Sequence, residues 1–122
     1  MQKTEKAIQS KILKWLNAQP KTIAFKNFAN AYNAHGLPDI TGAIAGLRLE
    51  IEVKTPTGRL SKKQAYILER YNKFNILAFV ARDLEEVQDR LAPVYELISK
   101  NKLPLNIAFS ITAPRPTPTD QK

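Results

Sequence analysis

A length of 122 residues limits the chain to one domain with a sizeable core, and 43% hydrophobic with 25% charged residues exclude global disorder. No apolar stretch approaches the roughly 20 residues of a membrane-spanning helix, and the polar first residues lack the apolar core of a signal peptide, so we expect a cytoplasmic protein. The absence of cysteine excludes disulfides and thiolate metal sites, and the net charge of +8 fits either a polyanionic partner or a surface kept soluble by lysine.

The first part of the chain predicts a helix and a strand. Apolar residues from Ile8 to Leu16 recur at helical spacing behind a possible N-cap at Thr4. Pro20 ends this helix, and residues 22–28 are expected to form a short strand.

A hairpin is predicted next, with strands over residues 40–45 and 47–54 joined tightly at Gly46. The second strand alternates apolar with charged residues. Because neighbouring side chains of a strand point to opposite faces, one face of this strand should be dry and the other charged.

The second half of the chain predicts a helix, a strand and another helix. Ser61 and Gln64 have the spacing of a capping box in front of a helix over residues 62–72. Residues 76–81 are an apolar run short enough for a buried strand, and a last helix follows that Pro93 should interrupt or restart. The predicted order is α-β-β-β-α-β plus a C-terminal helix, which is an α/β fold.

The C-terminal region alternates apolar and polar residues over 105–112, which predicts a late strand, and then carries three prolines spaced two residues apart. We interpret residues 1–112 as a single domain and residues 113–122 as a proline-rich, disordered tail.

Two carboxylates and a lysine are expected to meet at the end of the hairpin. Glu52 and Lys54 are two residues apart on one strand, so their side chains leave the same face. Antiparallel pairing about Gly46 sets Asp39 roughly opposite Glu52. Phosphodiester hydrolysis needs a divalent cation to polarise the phosphate and activate water, and Mg²⁺ prefers oxygen ligands of this kind. A chain with one histidine and no cysteine also favours oxygen ligands.

The residues in question form two known motifs. Leu37-Pro38-Asp39 followed by Glu52-Val53-Lys54 resembles the PD-(D/E)xK nuclease signature. The runs 36–40 and 52–64 resemble the VRR-NUC branch of that superfamily, including its small, stand-alone phage-type members, and the likeness covers about residues 4–82. Each motif alone is common by chance, but together and in this order they favour catalysis over a purely structural role.

The resemblance implies a restriction-endonuclease-like core, with a central mixed sheet flanked by helices. It also implies a divalent-metal-dependent DNA endonuclease in the cytoplasm of a bacterial cell or a phage-infected host. Branched DNA such as the four-way (Holliday) junction is the leading candidate substrate. A homodimer is expected, because resolving a junction requires two cuts related by a two-fold axis.

In the mechanism we infer, Asp39, Glu52 and the backbone carbonyl of Val53 hold Mg²⁺ or Mn²⁺. Lys54 either takes a proton from the attacking water or stays charged and stabilises the transition state. The sequence leaves both roles open.

The resemblance assigns catalytic roles to two further residues. Glu5, on the first helix, is a further candidate metal ligand, or else a carboxylate that favours the helix N-terminus. Gln64 is a candidate for the site and also the capping-box partner of Ser61. Glu50 shares the face of Glu52 without a counterpart in the motif, and we interpret it as a solvated charge or a group that supports the site.

Basic residues follow the second strand of the hairpin. Arg59, Lys62 and Lys63 are expected to contact phosphates rather than base edges. Tyr66 and Tyr71, on the helix behind them, are compatible with core packing or with base stacking. The alternative function is a non-catalytic basic module that binds DNA or RNA, with the carboxylates serving only the fold.

Overall fold

The computed structural model describes residues 4–28 and 36–102. The elements in these two stretches confirm the predicted order of α-β-β-β-α-β plus a last helix. They are α1 (Glu5–Asn17), β1 (Thr22–Lys26), β2 (Ile40–Ile44), β3 (Leu47–Val53), α2 (Lys62–Lys73), β4 (Leu77–Ala81) and α3 (Leu84–Ser99). The late strand expected over 105–112 and the proline-rich tail lie outside the described residues.

The four strands form one mixed sheet in the order β1-β2-β3-β4. The first three pair antiparallel in sequence, and β4 pairs parallel to β3. A parallel neighbour cannot be reached through a tight turn, so α2 serves as the crossover between β3 and β4.

The turn between β2 and β3 is the short loop that the sequence predicts. Ala45 has a φ of 47° and Gly46 a φ of 89°, the positive values that a two-residue type I′ turn requires at both central positions. The turn pairs Ile44 with Leu47, and the register continues to the pair Ile40 and Ile51.

The core lies between one face of the sheet and the helices α1 and α3, which also contact each other. Its fully buried side chains come from α1, α3 and every strand except β1: Ile12, Leu16, Ile40, Ile44, Leu49, Ile51, Val53, Leu77, Ala81, Val87, Leu91 and Val94. Helix α2 contacts β4 from the opposite face, where Glu52 points. The predicted dry face of β3 is therefore the core face.

Side chains cap the start of α1 and α2 as the sequence predicts. The Thr4 hydroxyl accepts a hydrogen bond from the Ala7 N–H at 3.0 Å. At α2 the capping box between Ser61 and Gln64 is complete in both directions. No helix within 4–28 and 36–102 is long and apolar enough to cross a membrane.

Pro93 does not interrupt the last helix, so that prediction is wrong. Helix α3 continues from Leu84 to Ser99 with Pro93 inside it. The buried residues Val87, Leu91 and Val94 lie on both sides of the proline and pack in the same core. Apolar burial along the whole helix offsets the hydrogen bond that proline removes.

Two asparagine side chains form hydrogen bonds with the backbone of the edge strands of the sheet. Asn17, at the end of α1, accepts from the Ala24 N–H and donates to the Ala24 carbonyl, both at 2.9 Å. Asn72, in the last turn of α2, makes the same pair of bonds with Ala78 at 3.1 Å. Since β1 and β4 are the edge strands, each amide satisfies backbone groups that have no neighbouring strand.

We predict that Asn17→Ala lowers the free energy of unfolding by about 1–2 kcal/mol, because it leaves the edge groups of Ala24 without their partner. Asn17→Asp should also destabilise the protein, since its carboxylate still accepts from the Ala24 N–H but sets its second oxygen against the carbonyls of Ala24 and Leu13. Urea unfolding followed by circular dichroism measures both. Ser10→Ala, on the exposed side of the same helix, is the control and should stay within about 0.5 kcal/mol. An Asn17→Ala protein as stable as the control would contradict the edge role.

Candidate active site

Asp39 and Glu52 meet where the β2–β3 ladder ends. Asp39 directly precedes β2, and the pairing of Ile40 with Ile51 carries it to a position opposite Glu52. Its Oδ2 accepts a hydrogen bond from the Val53 N–H at 2.8 Å. The side chain of Asp39 is thereby held against β3, next to the residue whose carbonyl is a candidate ligand.

Glu52 is a buried carboxylate with incomplete hydrogen bonding. Its side chain belongs to a residue only 2% exposed. Its Oε2 accepts from Gln64 Nε2 at 3.1 Å and lies 3.7 Å from Lys54 Nζ. Within the described part of the chain, no donor reaches its Oε1. A buried carboxylate oxygen without a partner is costly, which makes this atom a candidate ligand for a cation.

The surroundings of Glu52 raise its pKa from 4.5 to about 8. Burial contributes most, because it penalises the charged form, and the neighbouring Asp39 carboxyl adds repulsion and a hydrogen bond to the protonated form. Lys54 acts in the opposite direction, and Glu5 adds a small further increase. At neutral pH and without a cation, Glu52 therefore keeps a proton beside Asp39.

The Gln64 side chain makes two contacts, one in the capping box and one with Glu52. Its Oε1 accepts from the Ser61 N–H at 2.9 Å, which completes the capping box, and its Nε2 donates to Glu52. One amide thus fixes the start of α2 over the end of β3. The capping box explains the helix start, and the free end of the same amide reaches the site.

Glu50 is not a solvated charge, and this part of the expectation is wrong. The residue is 1% exposed, with Arg48 Nε at 2.9 Å and the Thr41 hydroxyl at 2.8 Å. Asn27 Nδ2 in turn donates to Thr41 at 2.7 Å and to the Pro38 carbonyl at 2.9 Å. This chain of bonds supports the segment that carries Asp39. The sequence does not predict a role for Thr41 or Asn27, because no motif or spacing links them to Glu50.

Lys54 is followed by a loop that a distant arginine holds in place. Arg82 Nη1 donates to the carbonyls of Thr55 and Gly58, each at 2.7 Å. Parallel pairing sets Val53 beside Ala81, so the residues that follow the two strands are also neighbours. The Lys54 side chain is 13% exposed, which leaves its ammonium group reachable next to Glu52. No sequence motif indicates the role of Arg82.

Glu5 is the first residue of α1, and its half-buried side chain lies near the candidate site. It is close enough to influence the pKa of Glu52, but its effect is the smallest of those acting there. Among residues 4–28 and 36–102, no three histidine, aspartate or glutamate side chains form a group that could hold one ion. The structure thus brings Asp39 and Glu52 together as a pair and leaves Glu5 outside it.

The basic residues expected to meet phosphates are all exposed. Arg59 lies in the loop before α2, and Lys62 and Lys63 lie in its first turn, beside Gln64. Tyr66 is also exposed, whereas Tyr71 is half-buried beneath the Arg48 guanidinium, 5.2 Å from the ring centroid. Tyr66 therefore lies on the surface, and Tyr71 is partly buried.

We predict that, in chelator, the stability of the protein falls as the pH rises from about 4.5 to about 8. Over this range folded Glu52 keeps a proton that the unfolded chain has lost, so deprotonation favours unfolding. Glu52→Gln removes this dependence and should raise the free energy of unfolding at pH 8 by about 1–3 kcal/mol. Urea titrations at several pH values measure the difference. Glu69→Gln, a surface change on α2, is the control, and equal pH profiles of the parent and Glu52→Gln would refute the shift.

Comparisons with known proteins agree with this architecture. No model of a protein family matches the chain, and no curated protein matches it in sequence. A solved structure described as "VRR_NUC domain protein" superposes with a TM-score of 0.65 and 19% identity, over 80% of this chain and 92% of the other. A second, described as "VRR_NUC domain", gives 0.60 and 22%, over 72% of this chain and 92% of the other. At this level of identity the likeness is one of fold. The chain therefore has a VRR-NUC-like fold of the restriction-endonuclease-like type.

Proposed function

We propose that the protein is a divalent-metal-dependent endonuclease that hydrolyses phosphodiester bonds in DNA. The observation that carries this proposal is the buried Glu52 carboxyl, which lies beside Asp39 and near Lys54 and has one oxygen that no donor among the described residues reaches. Two carboxylates forced together in a protein interior destabilise it unless a cation or a proton compensates them. A VRR-NUC-like fold around this pair supports the same function.

The residues present fit a hard divalent cation. Asp39, Glu52 and the backbone carbonyl of Val53 offer oxygen atoms only, which is the ligand type that Mg²⁺ and Mn²⁺ prefer. Glu52 Oε1, which no donor among the described residues reaches, would be one of the atoms that hold the ion, and the positive charge would offset the burial and the Asp39 repulsion that raise the pKa of Glu52. When bound, the ion would polarise the phosphate and activate water for attack. Glu5, outside the pair, is proposed to act through its charge or through a second ion.

The other side chains have roles that follow from their contacts. Lys54 Nζ lies 3.7 Å from Glu52 Oε2, so it can act on the same phosphate as the carboxylate pair. A charged Lys54 would stabilise the negative charge that develops on the phosphate during in-line attack. Gln64 orients the Glu52 carboxyl through its 3.1 Å hydrogen bond to Oε2. Arg59, Lys62 and Lys63 would hold the DNA backbone by nonspecific phosphate contacts.

We extend the proposal to branched DNA, with the four-way junction as the first substrate to test, and to a homodimer. The reason for a dimer is geometric. One domain with one carboxylate pair makes one cut, and symmetric resolution of a junction needs two active sites related by a two-fold axis. Light scattering on the purified protein would measure the oligomeric state.

We predict cleavage of at least one DNA in a panel of single-stranded, duplex, flap and four-way substrates when Mg²⁺ or Mn²⁺ is present, and none in excess chelator. The same ions should raise the melting temperature of the parent protein and not that of Asp39→Asn, since the variant lacks a charged ligand. Gel assays and thermal shift measure the two effects. Binding without cleavage of any substrate would favour the alternative, a basic DNA- or RNA-binding module.

We further predict that Asp39→Asn and Lys54→Met both reduce cleavage by about 10²-fold or more, while they shift DNA affinity in opposite directions. Asparagine can still accept from the Val53 N–H, so Asp39→Asn removes a charge without removing that contact. In chelator it should bind DNA as well as the parent or slightly better, because one repulsive charge is gone. Lys54→Met loses a positive charge and should bind slightly less well.

Fluorescence anisotropy in chelator and cleavage in Mg²⁺ measure these shifts. Lys100→Met, at the exposed end of α3, is the control for loss of a lysine and should cut like the parent. Circular dichroism verifies that each variant folds. A well-folded Asp39→Asn protein that cuts as fast as the parent would show that the site is wrongly placed.

A further inference from the structure

The outer side of α2 carries two exposed aromatic rings on either side of an arginine in the sequence. Tyr66 is 59% exposed and Phe74 is 66% exposed, and both are among the most exposed large side chains of the described chain. Arg70 lies four residues from each, and its Cζ is 5.9 Å from the Tyr66 ring centroid and 5.3 Å from the Phe74 centroid. We call these three residues the α2 stripe.

The α2 stripe is exposed rather than buried. Tyr66 and Arg70 lie four residues apart on α2, and Phe74 is the C-cap residue four positions further on, so the three side chains form a row about 12 Å long. The Arg70 guanidinium lies over both rings. Large aromatic side chains lose most of their favourable burial energy in such a position. No core role explains them, because α2 packs inward through Leu68 and through half-buried residues on that side.

The charge of α2 indicates what kind of partner fits. The helix carries four basic residues, Lys62, Lys63, Arg70 and Lys73, and a single acidic one, Glu69. A basic surface with aromatic rings complements a polyanion that also presents flat π faces. Unpaired nucleotides have both properties, whereas the bases of a duplex are stacked on each other and present no face to a side chain.

The α2 stripe lies on the side of α2 that faces away from the candidate active site. Gln64, whose amide reaches Glu52, is two residues before Tyr66, and residues two apart on a helix point in nearly opposite directions. Lys62 extends the row by one more turn, so the stripe continues a basic surface that starts at the first turn of the helix.

We propose that the α2 stripe is a stacking platform for an unpaired DNA strand. Bases stack on the faces of Tyr66 and Phe74 that Arg70 does not cover, and Arg70 neutralises a neighbouring phosphate. Stacking of this kind tolerates any base, so the ligand class is DNA with a single-stranded segment, with no sequence preference. The inference rests on the proposed nuclease function for the choice of DNA, but the platform itself can be tested without cleavage.

The test compares binding of a labelled oligothymidylate of about 20 nucleotides with that of a duplex of the same length, by anisotropy in chelator. The double variant Tyr66→Leu with Phe74→Leu keeps apolar bulk and removes both π faces. It should bind the single strand about tenfold more weakly or worse, and the duplex less than about threefold more weakly. The exchanged variant Tyr66→Phe with Phe74→Tyr keeps both rings and should bind like the parent.

Phe25→Leu is the matched control, since Phe25 is an aromatic residue 54% exposed on β1. Single-strand affinity that is unchanged in the leucine double variant, or reduced equally by Phe25→Leu, overturns the proposal. A leucine variant that changes the oligomeric state instead would assign the row to a protein contact and also overturn it.

Cleavage of the substrate panel in Mg²⁺ by the parent is measured in parallel. Cleavage together with unchanged single-strand binding by the leucine variant refutes the platform alone. Absence of cleavage with a selective loss of single-strand binding refutes the nuclease function and supports a platform on a binding module.

Discussion

The turn at Ala45–Gly46 sets the register of β2 on β3, and every charged group of the site depends on that register. Side chains of a strand alternate between faces, so a slip of one residue would turn Glu52 into the apolar core and Val53 out of it. The observed register pairs Ile40 with Ile51 and buries both, which leaves Glu52 no position except the opposite face. The apolar side of the hairpin thereby specifies the polar side: burial of the isoleucines selects the pairing that brings two carboxylates together.

Bringing the carboxylates together has a cost that the rest of the fold must offset. Burial and the proximity of Asp39 raise the pKa of Glu52 to about 8, so the metal-free site is most stable with a proton bound. The hydrophobic cluster under the other face of the same strand, packed against α1 and α3, supplies the opposing stabilisation. Glu50, a second buried carboxylate on the face of Glu52, is by contrast fully paired through Arg48 and Thr41. Glu50, with both carboxylate oxygens hydrogen-bonded, therefore has a structural role. Glu52, with one oxygen that no donor among the described residues reaches, is the candidate ligand.

Helix α2 connects this site with the outer surface. Its first turn is fixed by the amide of Gln64, which serves the capping box and Glu52 at once. Its last turn is fixed by Asn72, which pairs with the edge of β4. Because α2 is held at both ends, Tyr66 and Phe74 have defined positions. The helix itself is required because β3 and β4 are parallel and need a crossover connection. The same parallel pairing sets Arg82 beside the loop that follows Lys54.

The sequence by itself determined the order of elements, the tight hairpin and the meeting of Asp39, Glu52 and Lys54. These features are local, since they depend on alternation within one strand and on a turn with few possible geometries. Only the tertiary structure decided which polar side chains are buried and which aromatic ones are exposed. The parallel β3–β4 pairing, the face that α2 covers and the continuous burial along α3 join segments far apart in the chain, and no periodicity records such contacts. Seven residues have a burial or a contact that only the tertiary structure shows. They are Asn17, Asn27, Glu50, Tyr66, Asn72, Arg82 and Pro93.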